Sequence, residues 1–128
     1  MTLQLFPDDI FNLADIVLGV ARKDPERIAV IDLAGFGTRG KRRYKHHTYR
    51  ELSADAEAVA PGLREMGIAE RTRIVFMAPP SYEACVVGVA LTRVGAVSVW
   101  IDTAVGYLNI TERLGRVGIE AFFGIPVA

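Results

Sequence analysis

The stretch from Thr48 to Asp102 constrains this chain more than any other. It reads as capped helix, turn, strand, helix, strand. Thr48 and Glu51 fit a capping box, in which each side chain satisfies a free backbone N–H at the helix start. Leu52, Ala56, Val59, Leu63 and Met66 then recur at helical spacing on one face. Gly67 supplies a left-handed stop. Arg73 to Ala78 is a short apolar strand closed by Pro79-Pro80. Ser81 caps the next helix, and Glu83 suits its positive end. Between Cys85 and Val94 apolar residues fall on nearly every side, so this helix should be buried all round. Gly95 stops it, and Val97 to Ile101 is the next strand.

The flanks extend the alternation. Asn12 can cap a first helix with Leu13, Val17, Leu18 and Ala21 on one face and Ile10 as a staple before it. Ile28 to Leu33 reads as a buried strand, Ala34 to Lys41 as a Gly-rich connection, and Arg43 to His47 as a returning strand. A further helix near Asn109 carries Ile110, Leu114 and Val117, and Ala121 to Gly124 is a last strand, with an apolar edge that invites self-association. Pro61-Gly62 inside the helix from Tyr49 predicts a kink or a break into two. The fold class is therefore α/β: a small, mostly parallel sheet with flanking helices and an N-terminal β-hairpin.

Composition narrows the partners. The chain has 128 residues, enough for one domain. Lys and Arg total 15 and Asp and Glu total 15, so no global charge steers it to nucleic acid or to a membrane. Hydrophobic residues reach 51%, which suits a well-filled core or faces meant to be covered by further chain. No apolar run approaches the roughly 20 residues of a membrane span. The start MTLQLFPDDI lacks the basic opening of a secretory signal, which points to the cytoplasm.

Several residues invite a chemical reading. Gly35-Phe36-Gly37-Thr38-Arg39-Gly40 matches G-x-G-x-x-G, and Gly35 to Lys41 matches a P-loop until Arg42 stands where the Ser/Thr should be. A phosphate loop also needs a helix to follow at once, and Lys41 to His47 has no helical period. A glycine-bearing hairpin loop is the alternative. Arg39, Lys41, Arg42, Arg43 and Lys45, with Tyr44 and Tyr49 interleaved, form either a contact for nucleic acid or an acidic partner or, as the neutral total favours, a solvated hairpin tip. His46 and His47 point to opposite faces of a strand and cannot easily share a metal. Cys85, the single cysteine, reads as a small buried hydrophobe, or as a nucleophile if a His lies near it in space. Glu112 with Arg113 and Arg116 reads as helix-surface pairs, and Phe76 and Trp100 as strand residues packed in the core. Ile101 to Gly106 leaves a parallel strand where α/β sheets place ligand crevices, and reads as a structural loop rather than a ligand contact.

The run as a whole resembles the opening of the acyl-adenylate-forming (AMP-binding) ligases. The residues that carry this are Thr48-Tyr49-Arg50-Glu51-Leu52, Gly67-Ile68, Gly95-Ala96-Val97 and Asp102. Phe11-Asn12-Leu13-Ala14, Asp24-Pro25 before Ile28-Ala29-Val30-Ile31, and Glu120-Ala121-Phe122-Phe123-Gly124-Ile125-Pro126 are similar to the olefin-forming β-lactone synthetase branch, also labelled fatty-acid–CoA ligase. Pro61 and Thr103 depart from that pattern. The resemblance implies that residues 1–128 are a single partial domain, the first subdomain of the adenylating fold. It implies a scaffold for the acyl pocket in an ATP- and Mg²⁺-dependent ligase that converts a carboxylic or fatty acid to its acyl-adenylate. The family's Ser/Thr/Gly-rich ATP loop, its aromatic-Gly-x-Thr-Glu segment, its ribose-binding Asp and its lid Lys do not occur here. The expectation is thus no catalytic, cofactor-binding or metal-binding residue in this chain, no activity alone, and dependence on the remainder of the ligase. That remainder is further chain or, in a split enzyme, a second polypeptide. A small nucleotide-binding or interaction module using Gly35 to Lys41 is the alternative.

Overall fold

The computed structural model describes residues 12–102, 104 and 114–124. In order these form helix α1 (Ala14–Lys23), strands β1 (Ile28–Phe36) and β2 (Arg42–Thr48), helix α2 (Tyr49–Glu65), strand β3 (Arg73–Met77), helix α3 (Tyr82–Val94), and strands β4 (Val97–Trp100) and β5 (Ala121–Gly124). The β1–β2 pair is an antiparallel hairpin, and β4-β3-β5 is a separate sheet in which β3 pairs in parallel with both neighbours.

Strand β3 explains the core. Its run Ile74-Val75-Phe76-Met77 is continuous rather than alternating because both faces are covered, as is usual for a central parallel strand. Ile74 and Phe76 pack with Ala56, Ala60, Leu63, Ala84 and Leu91 of the helices. Val75 and Met77 face the other way, toward Ile101, Leu114 and Ile119. Each of these four β3 side chains is worth about 1.5–3 kcal/mol when removed from water. Helix α3 lies across this sheet with only Glu83 exposed, in line with its apolar circumference.

The helix ends follow from local chemistry. Thr48 Oγ1 accepts from the Glu51 N–H at 3.2 Å, and Glu51 Oε2 accepts from the Thr48 N–H at 2.8 Å, completing the capping box. Ser81 Oγ accepts from the Ala84 N–H at 3.1 Å. Asn12 Oδ1 accepts from the Ala14 N–H, while its amide donates to the Thr92 carbonyl at 2.7 Å and ties α1 to α3. Gly95 adopts φ +82 to end α3, and a Cβ there would stand 3.1 Å from Glu70 Cγ.

Four expectations need correction. Of the kink or break expected at Pro61-Gly62, the break does not occur: α2 runs on to Glu65 with Ala60 and Leu63 buried on either side. Pro61 and Glu57 are both exposed, so the carbonyl deprived of its N–H partner lies on the wet side of the helix. Met66 is not on the core face; it is 76% exposed past the helix end, and Ile68 takes the buried place. Strand β1 is longer than Ile28 to Leu33 and is not buried, because only one of its faces meets the helices. Trp100 is 58% exposed rather than packed in the core, since β4 is an edge strand. The helix expected near Asn109, and the Ile10 staple, lie outside the described residues. Among the described residues no helix is long and apolar enough to cross a membrane.

Candidate functional site

Where β3 and β4 end, their chains diverge and leave a cleft of about 370 Å³. Its lining comes from three elements: Ala78 and Pro80 after β3, Ser81, Ala84 and Cys85 at the start of α3, and Trp100, Ile101 and Asp102 at the end of β4. Pro79-Pro80 stops β3 and turns the chain, so the first turn of α3 faces the strand ends. The walls are mainly apolar, with the Ser81 hydroxyl and the Asp102 carboxylate as the polar groups. Each of those already holds a backbone N–H: Ser81 that of Ala84, and Asp102 Oδ1 that of Ala104 at 2.9 Å. The arrangement suits an extended apolar body with one polar end.

Trp100 and Cys85 also line a second cleft of about 370 Å³, bounded by Leu13, Ala14 and Val17 of the α1 region, Ala29 and Val30 of β1, Leu52 of α2 and Val89 of α3. The indole is the wall between the two. It lies 4.1 Å from the Phe76 ring, centroid to centroid, and its Nε1 donates to Ser98 Oγ at 3.1 Å. A Cβ on Gly88 would stand 2.9 Å from Trp100 Cζ2, so only glycine lets the ring sit there without a shift.

Beside the clefts a polar cluster pins the hairpin to the helices. The Tyr82 hydroxyl donates to Asp55 Oδ2 at 2.6 Å, and the Tyr82 N–H donates to Asp32 Oδ2 at 3.0 Å. The His47 ring stacks on Tyr82 at 3.5 Å and 5°. Burial, then the bond to Asp55 and its charge, push the Tyr82 phenol well above its ordinary value. These contacts hold together β1, β2, α2 and α3, and nothing in the local sequence announces them.

The sequence-derived candidates separate in space. Gly35 and Phe36 end β1, and Gly37 to Lys41 is the hairpin connection: Thr38–Gly40 forms one 3₁₀ turn with Arg39 at φ +64, and β2 follows instead of a helix. No helix N-terminus stands there to face a phosphate, so the described residues of this connection do not form a P-loop. Nor do they offer a group of three or more His, Cys, Asp or Glu that could hold Mg²⁺ or another metal. His47 is buried while His46 is exposed, on opposite faces as the strand geometry requires. Burial, and then the Asp32 carboxylate, push the Cys85 thiol up, which disfavours the thiolate that a nucleophile needs. Glu112 and Arg113 lie outside the described residues. Of the Ile101 to Gly106 loop, Ile101 and Asp102 do line the first cleft. The sequence signal for that cleft was the exit of a parallel strand; the part played by Pro80, Ser81 and Cys85 had no local signal.

Comparison with known proteins decides the family. The model of the AMP-binding enzyme family matches residues 19–126. The chain belongs to the AMP-binding enzyme family. It is 35% identical to the olefin beta-lactone synthetase of Xanthomonas campestris pv. campestris over 118 residues, covering 91% of this chain and 21% of that protein. It is 34% identical to the same-named enzyme of Stenotrophomonas maltophilia, covering 91% and 22%. The chain thus spans about a fifth of the length of the curated relatives it matches. Among solved structures, the Klebsiella oxytoca NpsA N-terminal subdomain superposes with a TM-score of 0.77 at 24% identity, over 91% of this chain and 27% of that one. IdnL1 gives 0.76 at 23% identity, over 90% and 22%. These likenesses show the fold, that of the N-terminal subdomain of adenylating enzymes.

Proposed function

We propose that this chain is the opening part of an ATP-dependent acyl-activating ligase and that it shapes the acid's pocket without supplying the groups that act on ATP. The observation that carries this is the apolar cleft where β3, β4 and the first turn of α3 meet, with Asp102 and Ser81 as its polar groups. The reaction served is conversion of a carboxylic acid and ATP to an acyl-adenylate and pyrophosphate. Identity to two olefin beta-lactone synthetases favours a long-chain β-hydroxy acid, closed afterwards to a β-lactone by its own hydroxyl. In this chain, Ala78, Ala84 and Ile101 would exclude water from the hydrocarbon, and Trp100 would lie along it. A cytoplasmic address fits such a reaction.

The test has two arms. Purified chain, given ATP, Mg²⁺ and a long-chain β-hydroxy acid, is expected to release no pyrophosphate; release would overturn the assignment of inactivity alone. Titration with the acid is expected to change Trp100 fluorescence, and Ala78→Phe, which fills the cleft, is expected to abolish the change. An unchanged signal on titration would remove the pocket. A split ligase, in which a second polypeptide supplies the phosphate loop and lid, is the second reading. Its mark is co-purification with a polypeptide that carries a Ser/Thr/Gly-rich loop ending in Lys.

A further inference from the structure

The hairpin has an outward face that the acyl-pocket reading does not use. Residues directly opposite on antiparallel strands share a face. Here Ile31 is opposite His46, Leu33 opposite Tyr44, and Phe36 opposite Arg42. The other face, with Asp32 and His47, is the one that docks on Tyr82 of α3. The outward side chains are accordingly open: Phe36 is 69% exposed, Ile31 61%, Tyr44 56% and Leu33 50%. Four large apolar side chains on a two-stranded ribbon form a contiguous patch rather than the scattered exposure of an ordinary surface.

Charge surrounds that patch with a single sign. Arg39 and Lys41 at the turn and Arg42 opposite Phe36 are exposed beside it, Arg43 and Lys45 are exposed on the other face, opposite Gly35 and Asp32, and Leu33 to Arg50 contains no Asp or Glu. Among the described residues none of these five cations is held in an ion pair. Phe36 projects beside the turn Thr38–Gly40, where the positive charges are densest. A tip that joins an exposed aromatic ring and aliphatic side chains to unpaired cations matches the two layers of an anionic bilayer surface. The cations meet lipid phosphates, and the apolar side chains enter the headgroup–acyl boundary. A second copy does not fit this face, because stacking the same patch would set cation against cation. Nucleic acid would satisfy the cations but leave the apolar side chains without a partner.

We propose that the outward face of the β1–β2 hairpin is a peripheral docking surface for anionic lipid bilayers, with Phe36 and Leu33 inserted and Arg39, Lys41 and Arg42 on the headgroups. It stands independently of the first cleft, which none of these hairpin residues lines. Delivery of a hydrocarbon acid from a membrane is a use consistent with both.

The experiment is co-sedimentation of the 128-residue chain with vesicles of phosphatidylcholine alone and of phosphatidylcholine mixed with phosphatidylglycerol. Binding is expected to the mixed vesicles only, and to weaken with added salt. Lys41→Glu and Arg42→Glu should each lower partitioning about fivefold or more. Phe36→Ser should lower it without altering the salt dependence, and far-UV circular dichroism should show that all three variants keep the fold. Absence of binding to the mixed vesicles overturns the proposal. So does equal binding to both vesicles, binding indifferent to Phe36→Ser and both charge reversals, or a concentration-dependent dimer that buries Phe36. None of these outcomes bears on pyrophosphate release or on the Trp100 signal, so this surface and the acyl cleft fail separately.

Discussion

Gly88 and Trp100 are in contact across the α3–β4 interface, and the contact leaves no room for a Cβ: one built on Gly88 falls 2.9 Å from Trp100 Cζ2. The glycine sits inside a helix, where it costs about 1 kcal/mol relative to alanine. The close approach explains why the position tolerates that cost. The indole it seats divides the two clefts.

Gly88→Ala is therefore expected to displace the indole despite the gain in helix propensity, with a net loss of about 1–2 kcal/mol. Trp100 is the only tryptophan, so its emission reports the site directly. A shifted emission maximum together with a lower urea midpoint is the expected result. An unchanged spectrum in a more stable protein would mean that the ring is free to move aside.

Tyr82 couples stability to alkaline pH. Its phenol is raised above the ordinary value by burial first, and by the Asp55 hydrogen bond and charge next. A group whose folded pKa is raised stabilises the fold fully below its unfolded value and loses that contribution as pH climbs beyond it. Stability should thus fall above about pH 10, the ordinary tyrosine value. Tyr82→Phe should lose about 1–2 kcal/mol at neutral pH and show a flatter alkaline limb. Parallel limbs for the two proteins, followed by circular dichroism, would contradict the assignment.

The capping box gives a prediction of known sign. Thr48→Ala removes the oxygen that accepts from the Glu51 N–H. A loss of about 1 kcal/mol is expected from chemical denaturation. Glu51→Ala should cost less than Thr48→Ala, and the two together less than their sum, because the box is reciprocal.

Pro61 is a departure that the helix carries rather than yields to. Pro61→Ala restores an N–H donor for the Glu57 carbonyl at an exposed position. It should stabilise the chain by about 1–3 kcal/mol. A loss of stability on this substitution would show that α2 is bent around Pro61 in a way its packing on α3 requires.

The pattern of what was legible follows from range. The Thr48–Glu51 box, the Ser81 cap and the αL glycine at Gly95 are interactions within a few residues, so residue type and spacing suffice to find them. Strand β3 was legible because a continuous apolar run that is too short for a helix, and stopped by prolines, has few other outcomes. The resemblance to adenylating ligases rested on the same local run, and the family match confirms it. Periodicity misplaced Met66 because it marks a face without marking where the helix ends.

The sequence by itself determined the element order, the capped starts of α2 and α3, the hairpin and the parallel sheet, since each is set by short-range capping, turn chemistry and apolar periodicity. Only the tertiary structure decided which apolar residues are inside: Phe76 is sealed at the sheet's centre while Trp100, on the edge strand, stays open to the clefts. It alone brought Tyr82 to Asp55, 27 residues away, and to Asp32, 50 residues away. It alone turned one face of the hairpin inward and left Ile31, Leu33, Phe36 and Tyr44 outward. The physical reason is that burial and long-range hydrogen bonds depend on which elements stack on which, and a residue's own neighbours in sequence carry no record of that.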